Sequence, residues 1–124
     1  MTAFKPVDGY DLAYFRELMP LRVLSGDAIS DDFDHDEMPE YGHYRPEALL
    51  YPLTTEEVSA ALAYCNRNRI AVTPRGAGTG LCGGCVPHLG GVVLCTDRMK
   101  RVLEVDVPNM TATVEPGVLL IDFP

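Results

Sequence analysis

Seven glycines crowd the run PRGAGTGLCGGCVPHLGG at residues 74–91: Gly76, Gly78, Gly80, Gly83, Gly84, Gly90 and Gly91. Glycine loses more backbone freedom on ordering than any other residue, so a fold that keeps such a run must recover that cost through something glycine permits. It permits left-handed backbone angles and backbone N–H groups with no Cβ in front of them. Successive N–H groups of this kind form a concave nest for an anion, phosphate above all. A merely flexible connection would be polar. This run contains Leu81, Val86 and Leu89 and is therefore expected to fold onto a core.

Three kinds of phosphate loop compete for the motif. A Walker loop ends in Gly-Lys-Ser or Gly-Lys-Thr, and no lysine occurs between Lys5 and Lys100. A dinucleotide fingerprint can be drawn through Gly78, Gly80 and Gly83, but Gly84, Pro87, Gly90 and Gly91 follow it, and these residues cannot open the helix that the fingerprint requires. The third reading is a loop that binds a pyrophosphate through amides. Arg75 is then the nearest fixed cation and the Thr79 hydroxyl an extra donor.

The flanking sequence predicts an α+β chain, with a small parallel strand-helix-strand subdomain followed by a hairpin. Leu12, Phe15 and Leu18 put a short amphipathic helix at residues 8–18, ending before Pro20. Residues 25–45 follow no clear period and are expected to be irregular. Ala48, Leu49, Leu50 and Tyr51 form a buried strand closed by Pro52. Thr54 and Glu57 make a capping box for a helix with Val58, Ala61, Leu62 and Cys65 on its inner face. Ile70 to Thr73 form a second strand stopped by Pro74, and Gly91 to Cys95 a third. Residues 102–107 and 110–114 alternate as the two arms of a hairpin turned at Pro108 and Asn109, and residues 117–124 begin a further element.

Composition narrows the function. Of 124 residues, 47% are hydrophobic, enough for one compact domain. Eighteen acidic residues against ten basic ones give a net charge of −8, which opposes a nucleic-acid partner. Asp27, Asp31, Asp32, Asp34, Asp36, Glu37 and Glu40 gather in a stretch without Lys or Arg. It reads as a solvated loop or flap rather than a metal site, since Asp34, His35 and Asp36 on a strand would point to different sides. No run of 18 apolar residues occurs, and the N-terminus lacks the apolar centre of a signal peptide, so a cytoplasmic location with reduced thiols is expected.

Several ordered segments carry a family resemblance: RPEALLYPLTTEEVSAAL at residues 45–62, PRGAGTGLCGG at 74–84, GGVVL at 90–94 and VEPGV at 114–118, preceded by DHDEMP at 34–39. Together they resemble the FAD-binding domain of vanillyl-alcohol-oxidase-type flavoproteins. Within these they are most similar to the glycolate oxidase FAD subunit and the D-lactate and D-2-hydroxyacid dehydrogenases. The resemblance divides the chain into a helical and acidic lead-in, 1–44, and the first part of a two-subdomain FAD-binding domain, 45–124. It implies that Arg75, Gly76, Ala77, Gly78, Thr79, Gly80, Leu81, Gly83 and Gly84 wrap the FAD pyrophosphate. It also implies an FAD-dependent parent enzyme that oxidises a small 2-hydroxy acid by hydride transfer to flavin. The family's second subdomain and substrate cap find no counterpart in these residues, so no catalytic residue carries over. A truncated product, a trimmed piece and a subunit completed by a second polypeptide all remain open.

Some relatives attach flavin through a histidine in the glycine loop. None stands among Arg75, Gly76, Ala77, Gly78 and Thr79, so FAD is expected to bind non-covalently. Cys82 and Cys85 spell C-x-x-C, with His88 near, but no second pair completes a zinc site and the thiols are read as loop lining. No metal is expected. The competing functions are a nucleotide- or phosphate-binding module without turnover and a fragment without function.

Overall fold

The computed structural model describes residues 3–122, so the readings that fall on Met1, Thr2, Phe123 and Pro124 lie outside the described residues. Helix α1, Gly9–Leu18, starts at Asp8, whose carboxylate accepts from the Asp11 N–H while the Asp11 carboxylate accepts from the Asp8 N–H, each at 3.0 Å. This reciprocal pair satisfies donors that a helix start leaves open. Asp11 is buried and also accepts from Lys5 and, at 2.7 Å, from the Tyr64 hydroxyl of the next helix. The bond to Asp11 helps hold the Tyr64 phenol up at about 12.

A four-stranded sheet follows: β1 Val23–Ser25, β2 Ala48–Leu50, β3 Val72–Arg75 and β4 Val92–Cys95, in spatial order β1-β2-β4-β3. Strands β2, β4 and β3 are parallel, and β1 pairs antiparallel with β2 at one edge. The predicted parallel unit is present, with β4 inserted between its two strands. The edge strand β1 is an addition. Its register, Val23 opposite Leu50 and Ser25 opposite Ala48, ties the lead-in to the sheet.

Alternation along the strands separates two apolar clusters. Ala48, Leu50, Val92 and Leu94 face one way and pack with Phe15 and Met19, and with Ala61 and Cys65 of helix α2, Thr55–Asn68. Leu49, Tyr51, Val93 and Cys95 face the other way, against Ile29, Leu24 and Phe33. Residues on both sides of position 44 therefore share one sheet. The acidic stretch contains short 3-10 turns at Gly26–Ala28, Asp31–Phe33 and Pro39–Tyr41. It is irregular, as expected, but it is not a solvated loop: Ile29 and Asp36 are buried, and the stretch covers the second face of the sheet.

Three local expectations need correction. Thr54 caps α2 by accepting from the Glu57 N–H at 3.1 Å, but the Glu57 carboxylate does not return to the cap. It accepts from the Leu53 N–H at 2.8 Å and from both terminal nitrogens of Arg22 at 2.6 and 2.5 Å, because a guanidinium beside β1 is a stronger partner than an amide. Leu62 is exposed rather than on the buried face. Pro74 does not stop β3, which runs through it to Arg75; β3 is an edge strand, where a missing N–H costs no ladder bond.

Strands β5, Val102–Asp106, and β6, Thr111–Val114, form the expected hairpin, with an irregularity between Val102 and Glu104. Asp106 accepts from the backbone and side-chain nitrogens of Asn109 in the turn, and Met110 adopts a left-handed φ of 55°. Val102, Leu103, Val105, Val107, Met110 and Val114 are exposed. Beyond the hairpin, Gly117 donates to the Met99 carbonyl at 2.7 Å. A Cβ at Gly117 would lie 2.1 Å from the Thr96 carbonyl, so the close return of the chain requires glycine. A 3-10 turn follows at Leu120–Asp122.

Candidate cofactor site

The glycine run leaves the sheet at the carboxyl end of β3, the side on which parallel sheets present their ligand loops. Its glycines are of two kinds. Gly78 and Gly83 have left-handed φ angles of +76° and +73° and are crowded from within. A Cβ at Gly78 would lie 2.1 Å from Arg75 Nη2, and one at Gly83 would lie 2.8 Å from the Tyr41 ring. Gly76, Gly80 and Gly84 have no such neighbour within 4 Å and need no left-handed angle. Their missing side chains leave the outer wall of the loop clear for a ligand.

The N–H groups of Gly76, Ala77, Gly78, Thr79, Gly80 and Leu81 meet no hydrogen-bond acceptor among the described residues. Ala77 and Thr79 line a crevice of about 660 Å³ whose other wall includes Lys100, Val102, Gly117 and Val118. Consecutive amide donors, a hydroxyl and an ammonium beside an apolar wall are a donor set for a phosphate that carries an apolar group. A separate cavity of about 620 Å³ lies by the carboxyl end of α2, lined by Phe4, Leu62, Asn66 and Arg67, away from this donor set.

The structure sets the predicted residues in different roles. Arg75 is buried beneath the loop and is not presented as a free cation. Its Nη1 donates to the His35 carbonyl at 3.0 Å, its Nη2 to the Asp32 carbonyl at 2.8 Å, and its guanidinium lies 5.1 Å from the Phe33 ring centre. Val86 is buried, whereas Leu81 and Leu89 are exposed. Sequence reasoning missed Lys100 and the wall at Gly117 and Val118. The available signal was that Lys100 is the first lysine after Lys5 and lies near the resembling VEPGV segment.

Asp34 and His35, expected to diverge, converge together with His43. Asp34 Oδ1 lies 2.6 Å from His35 Nδ1 and 2.9 Å from His43 Nδ1. Donors sharing a tetrahedral zinc ion at about 2.1 Å stand roughly 3.4 Å apart, so the observed spacings are those of hydrogen bonds. Burial pushes the Asp34 carboxyl up, but the bonds from His35 and His43 outweigh it and the net shift is downward. The same bond raises His35. All four cysteines are free, and burial lifts the Cys65 and Cys95 thiols to about 11.

The chain is similar to known proteins over most of its length. Residues 46–123 match the family model described as "FAD binding domain". The chain is 49% identical over 109 residues to D-lactate dehydrogenase of Anaerostipes hadrus, covering 88% of this chain and 23% of that protein. It is 43% identical over 91 residues to glycolate oxidase subunit GlcD of Bacillus subtilis, covering 73% and 19%. Among solved structures, p-cresol methylhydroxylase with substrate bound superposes with a TM-score of 0.75 at 27% identity, over 95% of this chain and 24% of that one. The chain thus spans about a fifth to a quarter of the length of the curated relatives it matches. The sequence-based resemblance and the mixed α+β fold both hold, and the chain belongs to the FAD-binding domain family.

Proposed function

We propose that residues Arg75, Gly76, Ala77, Gly78, Thr79, Gly80, Leu81, Gly83 and Gly84 form the pyrophosphate-binding loop for a non-covalently held FAD. The parent flavoprotein would oxidise a small 2-hydroxy acid of the glycolate or D-lactate kind. The observation that carries the reading is the row of N–H groups from Gly76 to Leu81 without an acceptor among the described residues, on the wall where Gly76 and Gly80 lack a Cβ obstacle. Flavin, when bound, accepts the hydride from the carbinol carbon. The residues described here hold and orient the cofactor: the amides and Thr79 take the phosphate oxygens, Lys100 offsets part of their charge, and Val102 and Val118 exclude water from one side of the crevice. Arg75 contributes by shaping the loop from beneath.

The substrate class rests on the names of the relatives. The remaining surfaces of the site come from further polypeptide, in the same chain or in a second one. The lead-in at 1–44 precedes the matched family segment in sequence, and its strand β1 pairs with β2 of that segment in the fold. The free cysteines support a reducing, cytoplasmic setting, and among the described residues no helix is long and apolar enough to cross a membrane. Acid precipitation of the purified full-length flavoprotein tests the cofactor reading. The flavin is expected in the supernatant; flavin retained on the precipitated protein would overturn non-covalent binding, and protein without flavin would overturn the whole reading.

A further inference from the structure

The amide row of the glycine loop keeps its shape only if something holds the two ends of the loop, and the residues that hold them come from the acidic strap at 32–41. At the first end, Arg75 fills the space beneath Gly78 and is fixed by the carbonyls of Asp32 and His35. In the middle, the Glu37 N–H donates to the Gly80 carbonyl at 3.2 Å, which turns that peptide's oxygen toward the strap. At the far end, Asp36 is 6% exposed; its Oδ2 accepts from the Gly83 N–H and its Oδ1 from the Met38 N–H, both at 2.8 Å. The Tyr41 ring then closes over Gly83.

We propose that Asp36 is a positioning residue for the cofactor loop: its buried carboxylate clamps the strap to Gly83 and so aims the amides of residues 76–81 at the ligand. This deepens the proposed function and rests on the reading that the loop binds FAD. Two acceptor oxygens are required because two backbone donors converge on the carboxylate from different segments. An asparagine of the same shape offers one acceptor and one donor, which leaves an N–H facing an NH₂. A carboxylate close to a phosphate site would ordinarily repel the ligand. Here both of its oxygens are turned to the strap and to Gly83, and the Arg75 guanidinium holds the carbonyls of Asp32 and His35 in the same strap. Asp36 therefore acts through Gly83 and does not touch the cofactor.

The test uses the full-length flavoprotein stripped of FAD and titrated with FAD and with ADP. Asp36→Asn is expected to weaken both by about tenfold, the equivalent of one lost charge-assisted hydrogen bond. At saturating FAD the substrate KM should stay unchanged. Asp36→Glu, which restores two acceptors, should recover part of the affinity. A merely structural role would change KM and the holoprotein's unfolding along with FAD affinity and would not discriminate Glu from Asn. Unchanged FAD affinity in Asp36→Asn overturns the inference. The control is Gly80→Val, which touches the ligand wall and not the clamp. If it also leaves FAD affinity unchanged, the loop itself is misassigned; if it alone weakens FAD, only the role of Asp36 fails. Should Asp36→Asn not fold, amide exchange in the unaltered protein decides: FAD is expected to slow the amides of Glu37, Met38 and Gly83 together with those of the loop, and slowing confined to 76–81 overturns the coupling.

Discussion

The glycine loop and the β5–β6 hairpin are both exposed, yet they expose opposite things. The loop presents backbone donors, while Arg75, Gly83 and Val86 anchor it underneath. The hairpin presents Leu103, Val105, Val107 and Met110, and its strands carry no buried residue. Exposed polar backbone on a braced support is what a ligand site requires, because the donors keep their geometry without the ligand. Exposed apolar side chains on an unbraced ribbon are a surface with an unmet gain from burial. The contrast predicts that the loop is locally complete and that the rest of the flavin site is not.

The largest effect should come from separating these residues from the rest of the protein. The 124-residue chain alone is expected to associate through the hairpin face and to bind FAD more weakly than about a micromolar, since amide contacts to a phosphate return only about 0.5–3 kcal/mol each. Calorimetric titration checks it. A constant of about a micromolar or tighter would mean that these residues form a self-sufficient flavin-binding domain.

Within the full-length protein, Gly78→Val should come next. It demands a left-handed φ from a β-branched residue and drives a Cβ into Arg75, so the loop should lose its form and the protein both flavin and about 1–3 kcal/mol or more of stability. The sequence asks of Gly78 both a left-handed backbone, which its φ of +76° shows, and an open approach for phosphate. The structure adds the guanidinium beneath it, and denaturant unfolding of the apoprotein separates these backbone and packing costs from lost phosphate contacts.

A smaller change is expected at the Arg22–Glu57 pair, which links β1 to α2 away from the loop. The Arg22 bond first, and the Leu53 N–H after it, hold the Glu57 carboxyl below its ordinary range. Its stabilisation is therefore present above the unfolded carboxylate value and fades as pH falls toward the folded one. Glu57→Gln should cost about 1.5–3 kcal/mol near neutrality and less in acid, with flavin affinity unchanged. A loss that is independent of pH would contradict the assignment. Smallest of all, Cys82→Ser combined with Cys85→Ser should leave flavin content and activity nearly unchanged. Bound zinc lost in that variant would revive a metal role for the C-x-x-C pair.

Local chemistry made much of this fold legible. Thr54, the apolar runs at Ala48 and Val92, and the turn at Pro108 and Asn109 act within a few residues of themselves, and each is where the sequence predicts it. Strand β1 was not legible, because its three residues gain their strand character only from pairing with β2 about 25 residues away. Asp36 looked like one acid among many, because its partner Gly83 is 47 residues distant. The glycine motif announced a phosphate loop. It could not tell inward glycines from outward ones, since that depends on where Arg75 and Tyr41 come to rest.

Gly80→Val in the full-length flavoprotein tests the central claim most directly. Gly80 has no neighbour within 4 Å of its missing Cβ and no left-handed φ, so the apoprotein should fold and unfold as before. If the amides of residues 76–81 hold the pyrophosphate, the branched side chain blocks them and affinity for both FAD and ADP should fall by about tenfold or more. Unaltered affinity for FAD and ADP in a normally folded Gly80→Val protein would show that the pyrophosphate lies elsewhere.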